Sequence, residues 1–239
     1  PMAGVPLSEH RDWIREMVDL GYTDMWSSEA GGHDGFTPLA LVSVWAPEVR
    51  LGIAIIPAYT RAPALMAMSV ASLAEAAPGR FVMGIGTSSD VIVERWNGIP
   101  FEAPYQRVRD TVRFLKAALT GEKVTEEYDS FTIRGFRLGI VPEQQPTILV
   151  AALREGMLRL AGREADGGAG EAARRGEIGH TGIMVHGVIE EVDGGPVLGT
   201  ATVPIDDEMG LADLGGAVHR AEHRLLVGVV AERCLSLRR

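Results

Sequence analysis

Apolar and polar positions along the chain alternate between the period of a strand and the period of a helix. Residues 51–56 and 81–85 are short apolar runs that end in polar turns, which is typical of buried strands. Residues 63–77 repeat apolar positions at helical spacing. The side chains expected on the buried side of that helix are Leu65, Met66, Val70 and Leu73. A strand, a helix and a strand in this order predict a parallel crossover unit, whose chemistry belongs where the strands end.

The same rhythm continues on both sides of this unit. We expect strands at 22–27 and 147–152. We also expect three helices, of which one is capped by Ser8, one begins at Thr37 and one runs over 156–163. A further amphipathic helix is marked by Val108, Val112, Leu115 and Leu119. An inserted hairpin is expected over 124–141, and 87–104 is too polar for a core element. This α/β rhythm favours a (β/α) barrel, although a doubly wound sheet has the same rhythm.

Composition narrows the class of protein. The 239 residues carry a net charge of −9, which argues against nucleic-acid and acidic-membrane partners and leaves small molecules as the expected ones. The single cysteine, Cys234, rules out an intrachain disulfide and is compatible with a reducing compartment. The sequence has neither a long apolar run nor a signal-peptide pattern, so we expect a cytoplasmic protein.

Short motifs at the predicted strand ends carry a resemblance to a known family. They are Gly52, the run Pro57-Ala-Tyr59-Thr-Arg61, Pro63, Gly79-Arg80-Phe81, Gly84-Ile-Gly86 and Glu94-Arg-Trp-Asn-Gly98. In this order and spacing they resemble the bacterial luciferase-like superfamily, particularly its oxidoreductases that use the deazaflavin coenzyme F420, such as the methylenetetrahydromethanopterin reductases. The resemblance implies a (β/α)8 barrel of the TIM type and F420 as cofactor, with FMN as the alternative.

The resemblance also implies where a cofactor would bind. It places a non-proline cis peptide at Ala54–Ile55, where the alternative is a pair of ordinary strand residues. It assigns Gly84, Gly86, Thr87 and Ser88 to a phosphate-holding loop, and glycines and hydroxyls in a tight turn suit an anion. A simple tight turn is the other interpretation. Two further cofactor-lining residues follow the next strand, namely Ala151 and Ala152.

Several polar and aromatic residues near the strand ends are candidates for chemistry or substrate binding. Glu29 follows a strand and is a candidate acid–base residue or else a solvated carboxylate, and Tyr59 is a second catalytic candidate. Arg61 is a candidate substrate ligand or an ion-pair partner. Trp96 and Asn97 are candidate substrate contacts, with packing under a loop as the alternative for the tryptophan.

The resemblance covers about residues 7–167, and 168–239 differ from the family's closing strands and helices. We therefore expect a barrel portion at 1–167 and an atypical segment at 168–239, with strand-like runs at 183–192 and 197–205. Only residues 1–6 precede the first helix, so the barrel is expected to be incomplete, lacking its first strand. His219 and His223 lie four residues apart, but no third ligand accompanies them, so no metal site is expected.

Three functions follow from these observations. The first is an oxidoreductase that transfers a hydride between F420 and an organic substrate. The second is a luciferase-like monooxygenase that uses reduced FMN and O₂. The third is an inactive fragment or a structural or binding subunit, because an incomplete barrel leaves strand edges and apolar surface that a homodimer would cover.

Overall fold

The computed structural model describes residues 5–152, 154–169, 183–192 and 195–203. Contacts divide the chain into two compact units. The first comprises residues 1–151 together with 163–165, and the second comprises 152–162 and 166–239. Among the described residues, no helix is both long enough and apolar enough to cross a membrane.

Helices and strands alternate along the first unit in the predicted order. They are α1 (His10–Asp19), β1 (Asp24–Ser27), α2 (Thr37–Trp45), β2 (Arg50–Pro57), α3 (Pro63–Ala76), β3 (Phe81–Gly86), α4 (Pro104–Leu119), β4 (Val124–Glu127), β5 (Thr132–Phe136) and β6 (Thr147–Ala151). A 3-10 turn precedes α1, and a π-helix (Val91–Trp96) lies between β3 and α4. The predicted alternation of strands and helices is therefore confirmed.

The sheet of the first unit is parallel, with its strands in the order β1-β2-β3-β6. Neighbouring strands keep a regular register except in β2, where the pairing with β3 shifts between Ile53 and Ile56. Because the strands are parallel, their carboxyl ends lie at the same edge, and the loops that follow β1, β2 and β3 meet there. The α/β class with a parallel sheet is as predicted, and in the described part of the chain the sheet does not close into a barrel.

The core lies between the sheet and the helices that connect its strands. Fully buried apolar side chains alternate with glycines along β2 and β3, and the apolar stripes of α3 and α4 pack over them. Each fully buried aliphatic side chain contributes about 1.5–3 kcal/mol relative to an exposed one. The members of this core include Leu51, Ile53, Ile56, Met66, Val70, Met83, Ile85, Val108, Val112 and Leu115.

Three local predictions are wrong. Ser8 does not cap the first helix, because it lies within a 3-10 turn (Leu7–Glu9) that precedes α1. Leu65 is 47 % exposed, because it lies in the first turn of α3, beside the strand ends rather than over the sheet. The segment 87–104 contains the π-helix, whose Val93 is fully buried, so it does contribute to the core.

The predicted insertion is an antiparallel hairpin of β4 and β5. Asp110 of α4 is 1 % exposed and accepts hydrogen bonds from the backbone N–H and the hydroxyl of Ser130, both at 2.9 Å. The ring of Phe114 packs against three aromatic rings from the hairpin, those of Tyr128, Phe131 and Phe136. The hairpin is therefore fixed to α4 by a buried carboxylate and an aromatic cluster, together with an ion pair between Arg109 and Asp129 at 2.6 Å.

The second unit contains most of α5 (Glu155–Glu164), β7 (Gly167–Ala169) and a hairpin of β8 (Ile183–Val192) and β9 (Gly195–Val203). The two strand-like runs predicted in this part of the chain are confirmed, the second beginning and ending two residues earlier than expected. His219, His223 and Cys234 lie outside the described residues.

Candidate functional site

A cavity of about 430 Å³ opens at the carboxyl ends of β1 and β2. Its polar wall comes from the loop that follows β1, and from Thr60 and Arg61 after β2. Its other wall is formed by Leu65 of α3 and by residues of the π-helix region. The cavity is thus built from the strand-end loops in which catalytic and binding groups are expected for a parallel α/β sheet.

The polar wall is organised around the side chain of Glu29. Arg61 donates to Glu29 Oε1 from Nη2 at 2.7 Å and from Nε at 3.3 Å, and it donates from Nη2 to Asp34 Oδ1 at 3.2 Å. The guanidinium also lies over the ring of Phe36, 4.8 Å from its centroid. Only 16 % of the Glu29 side chain and 19 % of the Arg61 side chain are exposed, so this ion pair is largely shielded from solvent.

The two oxygens of Glu29 have different surroundings. Oε1 accepts both bonds from Arg61 and a third from the backbone N–H of Gly35 at 3.2 Å. Oε2 has a single long contact, with the hydroxyl of Thr60 at 3.5 Å. Because a carboxylate oxygen can accept at least two hydrogen bonds, Oε2 keeps acceptor capacity for a group that enters the cavity.

Asp34 begins helix α2 as well as pairing with Arg61. Its Oδ1 accepts the backbone N–H groups of Phe36 at 2.9 Å and Thr37 at 3.1 Å, which satisfies donors that the first turn of a helix leaves free. Burial by itself raises the pKa of Asp34. The hydrogen bonds from Thr37 and Phe36 and the charge of Arg61 outweigh that effect, so the pKa lies below its ordinary value of 3.8.

Trp96 and Asn97 form the wall opposite Glu29. Trp96 is 59 % exposed, and its ring lies against Gly31, where an added Cβ would be only 3.3 Å from the ring. Gly31 has a φ of +88°, a conformation that favours glycine. Asn97 donates from Nδ2 to the carbonyl of Ile92 at 2.6 Å, which holds the end of the π-helix. The structure thus brings both candidate substrate contacts to the same cavity as Glu29 and Arg61.

The end of β2 has an irregular backbone. The Ala54–Ile55 peptide bond is cis, at the position that the family resemblance implies, and it coincides with the register shift between β2 and β3. The side chain of Ile55 lies on the glycines of β3. A Cβ added at Gly84 would be 3.3 Å from Ile55 Cγ2, and one added at Gly86 would be 3.2 Å from Ile55 Cδ1. The cofactor-binding role of Ala54 and Ile55 stays a prediction.

The loop after β3 exposes hydroxyl groups next to these glycines. Thr87 donates to the carbonyl of Ser88 at 3.3 Å, and Ser88 has a φ of +63°. Ala151 ends β6, and its Cβ lies 3.0 Å from the position that a Cβ on Gly86 would take. Ala152 is fully buried and begins the second unit. Their assignment to cofactor binding also stays a prediction.

Tyr59 lies apart from the cavity. It is 6 % exposed, and its hydroxyl donates to the carbonyl of Glu102 at 2.6 Å. Burial raises the pKa of this hydroxyl above its ordinary value of 10. The guanidinium of Arg107 lies 5.5 Å from the ring centroid. These contacts hold the loop after β2 against the start of α4, and a catalytic role for Tyr59 stays a prediction.

Sequence reasoning missed two features of the site. Thr60 contacts Glu29 although it was seen only as part of the motif between Tyr59 and Arg61. His33 has no role assigned from the sequence, yet it lines the cavity and packs edge-on against buried His10, with ring centroids 5.7 Å apart. Among the described residues, no group of His, Cys, Asp and Glu side chains could hold a metal ion.

Comparison with known proteins shows two family matches along the chain. The family model for luciferase-like monooxygenases matches residues 1–182. The family model for formyl transferases matches residues 168–230, most of which lie outside the described residues.

Curated relatives include a putative coenzyme F420-dependent oxidoreductase of Mycobacterium tuberculosis, 32 % identical over 46 % of this chain and 32 % of the relative. An F420-dependent glucose-6-phosphate dehydrogenase of Kineococcus radiotolerans is 34 % identical over 65 % of this chain and 50 % of the relative. The chain therefore spans half or less of the length of these relatives.

Solved structures show the same fold. An F420-dependent secondary alcohol dehydrogenase in complex with an F420–acetone adduct has a TM-score of 0.63 at 17 % identity, over 69 % of this chain and 54 % of that one. The oxygenating constituent of 3,6-diketocamphane monooxygenase from Pseudomonas putida, in complex with FMN, has a TM-score of 0.57 at 18 % identity. The likeness covers 70 % of this chain and 53 % of that one. These likenesses confirm the (β/α) barrel class. The match over residues 1–182 shows that the chain belongs to the luciferase-like monooxygenase family.

Proposed function

We propose that the chain is an oxidoreductase that transfers a hydride between the deazaflavin coenzyme F420 and a small organic substrate. The observation that carries the proposal is the surface formed by Ile55, Gly84 and Gly86 at neighbouring strand ends. The side chain of Ile55 lies against both glycines, and a Cβ added to either one would come within 3.3 Å of it, so the two glycines allow this side chain to lie at the strand ends. The curated relatives with F420 in their names support the choice of cofactor.

The residues present fit such a cofactor. Ala54 and Ile55 would support its ring, and Gly84 and Gly86 leave room for the side chain of Ile55 in that position. Thr87 and Ser88, with Ala151 and Ala152 at the next strand end, would hold the remainder. When bound, the deazaflavin would supply the site that accepts or donates the hydride.

Glu29 is the residue proposed to move the proton. As a substrate hydroxyl is oxidised to a carbonyl, its proton would pass to Oε2, the oxygen that keeps acceptor capacity, and in the reverse direction Oε2 would return it. Arg61 and the N–H of Gly35 hold Oε1 and so fix the direction in which Oε2 points. Trp96 and Asn97 on the opposite wall would contact the rest of the substrate and exclude water.

A monooxygenase that uses FMN is the second candidate. The FMN-containing monooxygenase constituent has a fold likeness comparable to that of the F420-dependent dehydrogenase, and a phosphate-binding loop at Thr87 and Ser88 suits either cofactor. An inactive or binding subunit is the third candidate, because the parallel sheet does not close into a barrel within the described residues.

Binding of the cofactor tests the proposal directly. The purified chain is titrated separately with oxidised F420 and with FMN, while the fluorescence of each cofactor is followed. We expect saturable binding of F420 and at least about tenfold weaker binding of FMN, which corresponds to 1.4 kcal/mol. The reverse preference would replace the reductase with the monooxygenase, and binding of neither would support the inactive or binding subunit.

A pair of glycine substitutions tests the site within the chain. Gly86→Val introduces a side chain against Ala151 and Ile55, so we expect loss of F420 binding and turnover. Gly139→Val makes the same change where a Cβ meets no neighbour within 4 Å, and it is expected to bind F420 as the wild type does. If Gly86→Val retains a cooperative fold and undiminished turnover, the proposed cofactor site is wrong.

A further inference from the structure

The cavity beside Glu29 has an unusual balance of charge for a site that would bind an anion. Its described lining contains two carboxylates, Glu29 and Asp34, and one guanidinium, that of Arg61. His33 is the remaining titratable group of the lining. With the imidazole neutral, the wall therefore carries a net charge of −1.

The guanidinium is already paired on two sides. Nη2 lies 2.7 Å from Glu29 Oε1 and 3.2 Å from Asp34 Oδ1, and Nε also faces Glu29 Oε1 at 3.3 Å. The face of the guanidinium is covered by the ring of Phe36. Of the three guanidinium nitrogens of Arg61, Nη1 alone makes no hydrogen bond to the described residues. One nitrogen beside two carboxylates suits an uncharged oxygen better than a phosphate, because like charges placed together weaken binding.

The remaining surfaces of the cavity suit an uncharged group beside an apolar one. Oε2 of Glu29 keeps acceptor capacity for a hydroxyl. Across the cavity, Leu65, Ile92 and the exposed ring of Trp96 offer apolar contact. The hydroxyl-bearing residues that suit an anion, Thr87 and Ser88, are not part of this lining. The charged groups of the lining are thus confined to one side of the cavity, and the only polar side chain among the described residues on the apolar side is the uncharged amide of Asn97.

We propose that the cavity takes an uncharged organic substrate in which a hydroxyl or carbonyl group adjoins an apolar portion, and that it disfavours phosphorylated substrates. The inference rests on the proposed function in one respect, because it names the substrate class of the same site. It separates this chain from the relative whose name specifies glucose 6-phosphate, which is an anion.

Two matched probes test the charge preference without the cofactor. Benzyl alcohol and benzyl phosphate share an aromatic ring and differ in charge, and the binding of each to the chain is measured by ligand-observed NMR titration. We expect benzyl alcohol to bind at least about tenfold more tightly than benzyl phosphate, since like-charge contact costs affinity. Equal affinity, a preference for the phosphate, or binding of neither probe would overturn the proposal.

Two substitutions are expected to alter the preference in distinct ways. Glu29→Gln removes one negative charge and the carboxylate acceptor, so benzyl phosphate should bind about tenfold better while benzyl alcohol binds several-fold more weakly. Asp34→Asn removes a negative charge but leaves Oε2 of Glu29, so only the affinity for benzyl phosphate should rise. The second variant keeps the test informative if the first does not fold.

Glu75→Gln is the matched control. It makes the same change of charge at an exposed position of α3 that does not line the cavity, so the affinity for each probe should stay the same. Equal effects of Glu75→Gln and Glu29→Gln would assign the preference to net charge rather than to the cavity and would contradict the proposal. Since these measurements contain no F420, they fail or succeed independently of the cofactor titration.

Discussion

Gly84 sets the distance between β2 and β3 at the site. A methyl group at this position would overlap the backbone carbonyl oxygen of Ile53 and would crowd Ile55 Cγ2. Ile53 and Ile55 flank Ala54 in the irregular part of β2, where the register with β3 shifts. The absence of a side chain at Gly84 is therefore needed by the sheet itself and not only by a ligand.

Gly84→Ala should destabilise the chain, because the obstacle is backbone that cannot rotate away. Overpacking of this kind costs about 1–3 kcal/mol, and we expect a value in the upper part of that range. The free energy of unfolding from urea titration, followed by circular dichroism, provides the measurement. Gly139→Ala, where an added Cβ meets nothing within 4 Å, is the control and should change the free energy little. Equal stability of the two variants would contradict this account.

At the same scale, sequence predicted which residues lie near the strand ends but not how they pair. Glu29 and Arg61 were each expected there, and Arg61 had two interpretations. Their ion pair joins residues 32 positions apart through the geometry of two loops, which hydrophobic periodicity does not describe. The unequal use of the two Glu29 oxygens follows from the N–H of Gly35 and the hydroxyl of Thr60, whose positions also depend on loop conformation.

The sequence predicts helix α2 but not the side chain that caps its first turn. The sequence places its start at Thr37, as observed, because Pro38 suits the first turn. The carboxylate that accepts the first N–H groups is Asp34, three residues earlier. Asp34 therefore belongs both to the helix start and, through Arg61, to the cavity wall.

Asp34→Ala is expected to lower the free energy of unfolding by about 1 kcal/mol, the typical contribution of a capping side chain. Asp34→Asn should lower the free energy of unfolding by less, because an amide oxygen can still accept hydrogen bonds from the N–H groups of Phe36 and Thr37. Urea unfolding at neutral pH measures both variants. If the two substitutions cost the same, charge pairing with Arg61 rather than capping would be the larger contribution.

Across the whole molecule, lowered carboxyl pKa values link stability to pH. The hydrogen bond from Arg113 holds the pKa of Glu164 below its ordinary value of 4.5. The pKa of Asp34 likewise lies below its ordinary value of 3.8. A carboxyl group whose pKa is lower in the folded state contributes stability that is fully present above its unfolded pKa. That contribution is lost as the pH falls through the folded pKa, so acid should destabilise this chain below about pH 4.5.

Glu164→Gln tests this link. Arg113 donates to both Glu164 oxygens, at 2.6 and 2.9 Å, and ties α4 to Glu164 within the first unit. At about pH 7 we expect the variant to be less stable by about 0.5–1 kcal/mol, in the range of exposed ion pairs with good geometry. As the pH falls below about 4.5 the difference should shrink, because protonation of wild-type Glu164 weakens its bond to Arg113. A difference that does not change with pH would contradict the assignment.

The class of the whole fold was predictable from periodicity and motifs. The range of residues that match known families was not. The family match extends over residues 1–182, beyond the predicted 7–167, and the tail matches a formyl transferase model that sequence reasoning did not recognise. Motifs at strand ends are short and fixed by function, while the packing that closes a sheet depends on many interchangeable apolar residues. The domain boundary at 167, the homodimer and the cytoplasmic location stay predictions.

The position of Trp96 gives the cavity an optical reporter. Its indole is 59 % exposed and lies on one wall, against Gly31. A ligand that covers the ring replaces water around it, so the emission of this indole should shift toward shorter wavelength as the cavity fills. Trp13 of α1 is similarly exposed, at 51 %, but does not line the cavity, so Trp13→Phe should keep the shift and Trp96→Phe should lose it. Binding can therefore be followed in the unlabelled protein, even with ligands that have no colour of their own.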